Sequence, residues 1–575
     1  MAEKEEYVLG SKVLDRFLGD EKFPVSWKSE DEKKLLWWYD DLHVARPVSP
    51  MYADFCAWWD ADLPMARCCE YMYRRFWAPF GKAWPGKVVN GYVFTAVMPR
   101  DAEEAKRAGP YYNMIMPIYA AGFLQHWKDR YVPEVEGNLR YLDRFPYEKA
   151  SLGELLFLLE EAYDVFERHW KLHWILNLAQ LQAFLQFRAV YQEVFGKIDE
   201  DEIGRILLSI KDKNWESIEG LWKLKERVKA NRSLRRVFEE SKDKTGEAML
   251  KDLEGSAAGK TLLKDLRRYL DVYGRKSIFA HELIYPTWRE YPVPPIELIR
   301  TYVAMDYNYP KDVKRAKDGR DKAVKDMLAR VQKAQDKRKL GEAVDLALRM
   351  APLTPDHHFY FDQGTHARLR RVFQEIGRRL VGLGVINDPE DIFYLEYNEM
   401  REIAANPKAF DAKAKVSARR KQHEDAFKLT PVDWVGTATQ SAVYEEPYKV
   451  LWGFPEKLDR RKNAVRGAKE LKGLGGSPGV VQGTARVVRS PDEFDRVQPG
   501  EIMVCRLTNP AWINVFPKIK ALVTDAGGIL AHPAIVSREF GIPCVVGTSI
   551  ATEVIKTGDI IKVDGTRGIV ELVGK

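Results

Sequence analysis

The sequence predicts a multidomain protein of the α plus α/β class, in which a large, mainly helical region precedes a small C-terminal α/β or β/β/α domain. Two observations lead to this prediction. Residues from about 100 to 430 show mostly helix-like periodicity, whereas the region after residue 470 alternates short apolar runs with turns. The chain has 575 residues and is 45% hydrophobic, which is enough for three or four domains with real cores.

The clearest helix prediction covers residues 154–195. Ser151-x-x-Glu154 is a capping box, and neither glycine nor proline interrupts the run that follows. His169 and His173 interrupt its apolar stripe with the i,i+4 spacing of two metal ligands. The glutamate that metalloprotease helices place after the first histidine is absent. A hydrogen-bonded core pair is therefore favoured over a substrate pocket, and a metal site is the least favoured interpretation.

The most informative segment is TDAGGILAHPAIVSREFGIPCVVG, residues 524–547. A predicted buried strand, Ala521–Thr524, leads through a glycine turn to His532 and Pro533, and an amphipathic helix then ends at Gly541. His532 is therefore expected at a helix N-terminus, where backbone N–H groups and the helix dipole favour anions. An imidazole in that position is well placed to carry a phosphoryl group.

This segment resembles the phosphohistidine motif of the swivelling domain in phosphoenolpyruvate synthase, pyruvate phosphate dikinase and their relatives. The matching residues are Gly527, Gly528, His532, Ala534, Ile535, Arg538, Glu539, Gly541, Ile542, Pro543, Val545, Val546 and Gly547. The residues 477–480, Ser-Pro-Gly-Val, also resemble the entry to that domain, and Asp564-Gly565-Thr566 predicts a closing hairpin. The resemblance implies a β/β/α swivelling domain with His532 as its phosphoryl carrier.

Other residues of this segment are expected to hold the phosphoryl group. The predicted phosphate-binding residues are Gly527, Gly528, Arg538 and Thr524. Glycine lets a phosphate approach the backbone closely. For Arg538, a surface ion pair is an equally good interpretation. Leu530 and Ala531 stand where the synthases often have hydroxyl or thiol side chains, which predicts missing hydroxyl help beside the histidine and an acceptor other than pyruvate.

Two helical segments resemble the acceptor domains of the same family's split and antibiotic-modifying members. The first is YGRKSIFAHELIYPTWREYP, residues 273–292, and the second begins at Asp356-His357-His358. The alternative interpretation of the second segment is structural: its arginines and acidic residues would bridge helix ends. The matches in the first are Tyr273, Gly274, Pro286, Trp288, Arg289, Glu290 and Pro292. Arg275 stands where the family usually has a histidine, so His281 becomes a candidate base. The candidate acceptor bases are, in order of preference, His281, His169, His173 and His358.

The resemblance also implies an organisation into domains. Residues 1–100 are predicted to be the N-terminal segment of the acceptor domain, 101–440 the helical acceptor domain, 441–476 a linker and 477–575 the swivelling phosphohistidine domain. The hinge itself is expected in the glycine-rich residues 473–479. Neither an ATP-binding module nor the family's phosphoenolpyruvate-binding barrel is expected within the chain.

In this order of domains, the sequence resembles the larger subunit of phenylphosphate synthase-type enzymes, and rifamycin phosphotransferase without its ATP-grasp module. This implies that a partner ATP-grasp subunit binds ATP and Mg²⁺ and transfers the β,γ-diphosphoryl group to His532, with release of AMP and then phosphate. His532 would pass the remaining phosphoryl group to a phenol and form an aryl phosphate. Two alternatives stay open: another hydroxyl acceptor such as an antibiotic, or a non-enzymatic phosphohistidine carrier or regulatory protein.

Composition narrows the remaining function classes. The net charge is +7, and basic and acidic residues are interleaved, so no nucleic-acid partner is expected. No apolar run reaches membrane-spanning length and the N-terminus lacks a signal-peptide core, which predicts a cytoplasmic protein without a membrane partner. The cysteines Cys56, Cys68, Cys69, Cys505 and Cys544 are scattered, so neither a metal cluster nor a disulfide framework is predicted. No tightly bound cofactor is expected.

Overall fold

The computed structural model describes residues 23–41, 43–55, 64–242, 244–279, 281–408, 410–446, 448–449, 453, 469–508, 512, 515–529 and 531–574. The chain divides into two compact units. The first unit comprises residues 1–185, 279–284 and 360–468, and the second comprises residues 186–278, 285–359 and 469–575. Most of the described residues upstream of 440 are helical and the C-terminal region is rich in strands, which confirms the predicted fold class.

The first unit combines a small antiparallel sheet with helices. Its strands pair in the order β2-β3-β1-β4 and are β1 (Trp37–Tyr39), β2 (Gly86–Val89), β3 (Tyr92–Thr95) and β4 (Trp434–Val435). Its helices are Glu30–Lys33, Pro50–Phe55, Pro64–Phe76, Ala102–His126, Trp127–Tyr131, Val132–Arg144, Tyr147–Lys149, Leu152–Phe195 as far as Leu185, Gly364–Gly382, Pro389–Tyr394, Tyr397–Ala405, Ala412–Ala426 and Ala442–Tyr444. One face of the sheet buries an aromatic cluster that includes Phe23, Tyr39 and Phe94.

The predicted long helix is present as Leu152–Phe195. Its capping box forms as expected: the Glu154 N–H donates to Ser151 Oγ at 3.3 Å, and the Ser151 N–H donates to Glu154 Oε2 at 2.7 Å. These bonds satisfy donors that a helix start otherwise leaves unpaired. The helix start is therefore set by local sequence, as predicted.

The second unit contains a helical part and an eight-stranded sheet. The helices of the helical part are Glu200–Ile206, Lys213–Ala230, Arg232–Glu240, Gly246–Glu254, Ala257–Tyr273, Val293–Ala304, Tyr309–Ala329, Ala334–Met350 and Leu353–His357. The π-helical turn His358–Gln363 follows the last of them. Helix Tyr309–Ala329 reaches the sheet region, where Arg315 Nη2 donates to the Phe540 carbonyl at 2.9 Å.

The strands of the sheet are β5 (Glu470–Lys472), β6 (Leu474–Ser477), β7 (Val480–Val487), β8 (Ile502–Cys505), β9 (Ala521–Thr524), β10 (Cys544–Val546), β11 (Ile560–Asp564) and β12 (Ile569–Gly574). Their order is β5-β12-β11-β7-β8-β9-β10-β6. The central strands β7, β8, β9 and β10 run parallel and the outer strands pair antiparallel. Short helices at Pro491–Arg496, His532–Phe540 and Ala551–Val554 connect them. Strands β11 and β12 form the predicted closing hairpin.

Part of the glycine-rich segment expected to be a hinge forms a strand. Residues Leu474–Ser477 form β6 and pair with β10, so a rotation of the sheet as a body would carry this segment with it. Most of the predicted linker after residue 449 lies outside the described residues, as do Cys56 and Leu530. The predicted domain boundaries therefore stay predictions. In the part of the chain that the structure describes, no helix is both long and apolar enough to cross a membrane.

Candidate phosphohistidine site

The site forms where two neighbouring parallel strands end. Strands β8 and β9 pair in parallel from Ile502–Ala521 to Cys505–Thr524, so their carboxyl ends lie at the same edge of the sheet. The loop after β8 carries Thr508, and the loop after β9 carries His532. Ligands of parallel α/β sheets bind at this edge, because the loops that leave it converge.

The helix His532–Phe540 begins at His532, one residue earlier than predicted, because the sequence suggested Pro533 as its first residue. Gly541 ends the helix in a left-handed conformation with φ of 65°, as the sequence predicts. The N–H groups of Ala534 and Ile535 both donate to the Ala531 carbonyl at 3.1 Å. The Ile535 bond is the ordinary first bond of an α-helix, whereas the Ala534 bond uses one N–H that a helix start otherwise leaves free for an anion.

The two ring nitrogens of His532 have different surroundings. Nδ1 lies 2.8 Å from Thr508 Oγ1, whereas Nε2 has no hydrogen-bond partner among the described residues. The Phe516 ring meets the imidazole edge-on with 6.1 Å between centroids. Burial, followed by the charge of the nearby His358, lowers the pKa of His532 to about 3. The ring is therefore neutral near pH 7 and keeps one nitrogen lone pair for attack on phosphorus.

The predicted phosphate-binding residues have structural partners. Gly527 has φ of +121°, a conformation that side chains rarely adopt. The Gly528 carbonyl accepts the Ala531 N–H at 3.1 Å. The Thr524 hydroxyl donates to the Ala526 carbonyl at 2.6 Å, inside the turn. These contacts shape the loop before His532, and direct binding of phosphate by the glycines and Thr524 stays a prediction.

Arg538 is buried rather than part of a surface ion pair. Its Nη1 donates to the Ile529 carbonyl at 2.7 Å, in the loop that leads to His532. Its guanidinium also packs against Gly204 of helix Glu200–Ile206. The contact is so close that a Cβ placed on Gly204 would lie 2.4 Å from Nη2. Arg538 therefore holds the loop before His532 in place through the Ile529 carbonyl. Its predicted contact with a phosphoryl group stays a prediction.

His358 is the predicted acceptor base that shares a unit with His532. It begins the π-helical turn His358–Gln363, and its ring stacks on that of His357 with 4.0 Å between centroids. Its charge contributes to the lowered pKa of His532, so the two imidazoles are electrostatic neighbours. Next to it, the Phe359 ring has Lys213 Nζ 5.5 Å from its centroid.

In the first unit, His169 is a core histidine. Its Nδ1 lies 2.8 Å from Thr365 Oγ1, and the Asn138 amide lies 3.3 Å from its Nε2. The side chain is fully buried, and desolvation lowers its pKa to about 3. With both ring nitrogens engaged, His169 fits the core interpretation that the sequence favoured over a substrate pocket.

His173 and His281 lie on either side of one buried carboxylate. Asp362 Oδ1 lies 3.4 Å from His173 Nδ1, and Asp362 Oδ2 lies 3.8 Å from His281 Nε2. All three side chains are almost completely buried. The sequence analysis placed His281 first among the candidate bases but did not connect it to Asp362, because these residues are about 80 positions apart.

Two further histidines complete this cluster and were missed. The ring of His43 lies 5.2 Å from that of His281, and the ring of His366 lies 5.1 Å from it. Burial lowers the pKa of His366 to about 4. Desolvation opposes protonation of His43, but Asp40 and then Asp362 outweigh it and raise the pKa of His43. No local pattern marks either residue. Only the tertiary fold brings these imidazoles together.

Comparison with known proteins agrees with this geometry. Residues 497–568 match the model of the mobile domain of PEP-utilising enzymes, and residues 171–354 match the model of the fourth domain of rifampicin phosphotransferase. The C-terminal β-rich region that carries His532 therefore holds a mobile domain of this type. The resemblances to the swivelling domain of PEP-utilising enzymes and to rifampicin phosphotransferase are therefore confirmed, whereas the resemblance to phenylphosphate synthase stays a prediction.

Several individual relatives are similar over longer stretches. The uncharacterized phosphotransferase YvkC of Bacillus subtilis is 29% identical over 440 residues, which are 76% of this chain and 51% of that protein. Rifampicin phosphotransferase of Bacillus cereus is 28% identical over 337 residues, 57% of this chain and 36% of that enzyme. Chondramide synthase cmdD of Chondromyces crocatus is 26% identical over 578 residues, 96% of this chain and 14% of that protein. The chain thus spans about half the length, or less, of these relatives.

Proposed function

We propose that this chain is the phosphoryl-carrying part of a phosphohistidine phosphotransferase that acts on the hydroxyl of a small molecule. The observation that carries the proposal is the state of His532. This neutral imidazole stands at the carboxyl edge of a parallel sheet and has one nitrogen held by Thr508 and the other without a partner among the described residues. The match of the surrounding residues to the mobile-domain model supports the same reading.

The proposed donor is ATP with Mg²⁺, bound by a separate ATP-grasp subunit. Nε2 attacks the β-phosphorus, an N–P bond forms, and AMP leaves with the electrons of the broken P–O bond. Water then hydrolyses the β–γ bond and releases inorganic phosphate, which leaves a phosphoryl group on His532. Phosphoryl transfer depends mainly on in-line positioning and charge neutralisation. His532 therefore has to supply little more than a nitrogen lone pair that is held in position.

In the second step, the acceptor oxygen attacks the phosphorus. The N–P bond breaks, its electrons return to Nε2, and the acceptor hydroxyl loses its proton to a base. His358 is the proposed base, because it is the electrostatic neighbour of His532 within the same unit. A base in hydrogen-bond reach of a reacting hydroxyl typically contributes 10²–10⁴-fold to the rate.

The proposed acceptor is a phenol, which would yield an aryl phosphate. A phenol has a pKa of about 10, so a neutral imidazole can assist its deprotonation near pH 7. The second candidate is the hydroxyl of an antibiotic. The match of residues 171–354 to a rifampicin phosphotransferase domain, and the similarity to the Bacillus cereus enzyme, favour this candidate. Both acceptors use the same chemistry at His532.

A donor that needs no partner tests the carrier step and the acceptor step together. Phosphoramidate transfers its phosphoryl group to histidine and releases ammonia, so it can load His532 in the absence of an ATP-grasp subunit. We expect acid-labile, base-stable phosphate on the wild-type chain and none at this position in His532→Ala. His423→Gln is the control, because His423 belongs to the first unit and bonds the Pro47 carbonyl.

The loaded chain is then offered phenol, substituted phenols and rifampicin, and the products are followed by ³¹P NMR. An aryl phosphate identifies the phenol acceptor, and a phosphorylated antibiotic identifies the second candidate. A loaded chain that passes phosphate to none of these and only to another protein would establish the carrier alternative. Failure of the wild-type chain to accept phosphate at His532 would overturn the proposed function.

A further inference from the structure

The helix Ala102–His126 of the first unit carries apolar side chains on its exposed face as well as on its buried face. The residues that face the core are Ala108, Tyr112, Met116, Ala120 and Phe123. On the exposed face, Tyr111, Met114 and Ile118 are 39%, 59% and 71% exposed. A helix that is apolar all round is ordinarily covered on all sides, and an exposed apolar patch ordinarily marks a contact surface. The exposed face of this helix therefore has the composition of an interface.

The same helix lacks charge over most of its length. The sequence from Ala108 to Gln125 contains no charged residue, although charged residues make up 30% of the chain. A helix whose outer face meets water ordinarily carries lysine, arginine, glutamate or aspartate there. Charged residues are depleted at the centre of protein interfaces instead, because their desolvation is costly. The composition of this face thus agrees with burial against another apolar surface.

The exposed side chains of this face are spaced symmetrically about residue 116. Successive positions are four, three, four, three and four residues apart, which keeps them on one side of the helix and reads the same in both directions. These residues are Arg107, Tyr111, Met114, Ile118, Ala121 and Gln125. A second copy of the helix, lying antiparallel, would therefore place Ala121 opposite Tyr111 and Ile118 opposite Met114. The same contacts would form twice, as a two-fold axis requires.

Charges at the two ends of the apolar stripe are complementary in this arrangement. Arg107 and Asp129 are both exposed, and neither has an ion-pair partner in the described part of the chain. Gln125 Nε2 donates to Asp129 Oδ2, so the carboxylate lies on the same face as Gln125. In the antiparallel pair, Arg107 of one copy would lie opposite Gln125 of the other and within one helical turn of its Asp129. Glu103, which would also approach Asp129, is already paired with Lys106.

We propose that the helix Ala102–His126 is a homodimer contact, in which it packs antiparallel against the same helix of a second copy. Met114 and Ile118 form the apolar centre, and Arg107 pairs with Asp129 of the other copy at each end. A second copy explains both the symmetric spacing and the complementary charges, whereas a different partner would require neither. One helix pair is smaller than a standard interface of about 1,600 Å², so a monomer–dimer equilibrium at micromolar concentrations is expected.

Sedimentation velocity of the full chain at increasing concentration measures this equilibrium. Met114→Glu puts a carboxylate at the apolar centre, so each dimer would bury two uncompensated charges and should be weakened at least about a hundredfold. Met305→Glu is the matched control, because Met305 is 50% exposed in the second unit, and it should leave the dimer unchanged. A wild-type chain that is monomeric at micromolar concentrations, or a dimer that Met114→Glu leaves intact, would overturn the proposal.

A charge exchange tests the direction of the two helices. Arg107→Glu brings like charges together at both ends of the antiparallel contact, and Asp129→Arg does the same. We expect each substitution to weaken the dimer about tenfold, because the contact occurs twice. The double variant Arg107→Glu/Asp129→Arg restores opposite charges only in an antiparallel pair, so its dimer should recover to within about threefold of the wild type. A double variant as weak as the single variants would overturn the antiparallel arrangement.

The remaining measurements exclude other occupants and separate this inference from the proposed function. A monomeric wild-type chain that floats with phosphatidylcholine vesicles, and loses this binding in Met114→Glu, would assign the face to lipid and overturn the dimer. Thermal melting checks that each variant is folded, since exposed substitutions should change the melting temperature little. The dimer does not depend on His532, so His532→Ala should dimerise like the wild type.

Discussion

Nδ1 of His43 lies 2.8 Å from Oδ1 of Asp40, and this buried pair forms one end of the imidazole cluster in the first unit. Desolvation opposes charge on His43, but Asp40 raises its pKa above the ordinary value of 6.5. The stabilisation from charged His43 is fully present below pH 6.5 and is lost as pH rises through the raised pKa. Asp40→Asn should therefore destabilise the protein by about 3 kcal/mol at pH 6, since it removes the carboxylate that contributes most to holding the charge of His43.

Denaturant unfolding at pH 6 and pH 9 measures this effect, and the cost of Asp40→Asn should be smaller at pH 9. Asp31→Asn is the control, because Asp31 pairs with Lys34 on the surface, where both side chains are at least 70% exposed. Exposed pairs of this kind change stability very little. Equal effects of the two substitutions would contradict the role of the Asp40–His43 pair.

His366 should make the first unit sensitive to acid. Burial lowers its folded pKa to about 4, whereas the unfolded value is about 6.5. Between these values the unfolded chain binds a proton that the folded chain does not, so stability falls as pH drops below 6.5. At pH 5 the loss from this residue is about 2 kcal/mol. In His366→Leu, the difference in melting temperature between pH 7 and pH 5 should shrink accordingly.

The exposed His126 gives the control for this measurement. His126→Gln should keep the wild-type difference between pH 7 and pH 5. His366 has no hydrogen bond of ordinary geometry within the described residues, although the carbonyls of Phe361 and Asp362 lie close enough to favour its charged form. An unchanged pH dependence in His366→Leu would mean that these carbonyls outweigh burial.

His532 itself could be found from the sequence because all the signals that define it are local. The helix start, the left-handed Gly541 and the glycine turn are encoded within about ten residues on either side. Thr508 could have been found by one further step. Strand β9 was predicted, and its parallel pairing with β8 brings the residues after each carboxyl end together. The missing information was the pairing, which no pattern within one strand supplies.

The histidine cluster shows what could not be predicted from the sequence. His43, His281 and His366 lie in three separated stretches of the chain, and only tertiary packing places their rings about 5 Å apart. The sequence correctly indicated that His169 belongs to a core, because the apolar stripe around it is periodic. It could not show that Asp362 lies between His173 and His281. The glycines of residues 473–479 suggested only a hinge, but glycines also occur in strands, as in β6, and the hinge itself stays a prediction.

His358 should affect transfer more than loading. His358→Gln removes the proposed base, so we expect transfer from phosphorylated His532 to the acceptor to fall by 10²–10⁴-fold. Loading by phosphoramidate should change far less, because the donor needs no base from the protein. The same substitution removes the side chain whose protonated form opposes protonation of His532, so the pKa of His532 should rise, which an NMR titration can follow. Equal losses in both steps would assign His358 to folding or to binding instead.

Removing the charge of two buried lysines of the second unit should change the stability of the protein in opposite directions. Lys276 Nζ donates to the Ser217 hydroxyl at 3.0 Å and lies 5.2 Å from the centroid of the Trp288 ring. Burial lowers the pKa of Lys276 to about 8, so at pH 7 the folded protein holds a charge that its surroundings disfavour. Lys276→Met should therefore stabilise the protein at pH 7, by about 1–3 kcal/mol.

The matched variant is Lys225→Met. Lys225 is equally buried, but its Nζ is paired with Glu226 at 2.7 Å and Asp306 at 3.0 Å, and these partners raise its pKa against the effect of burial. Its removal should destabilise the protein at pH 7. For wild-type Lys276 the penalty disappears as pH rises through 8 towards 10.5, because the folded side chain becomes neutral before the unfolded one. The advantage of Lys276→Met should thus vanish by pH 10, and guanidinium unfolding at both pH values checks it. If Lys276→Met raised the free energy of unfolding equally at pH 7 and pH 10, the stabilisation would come from packing of the methionine and not from removal of the charge.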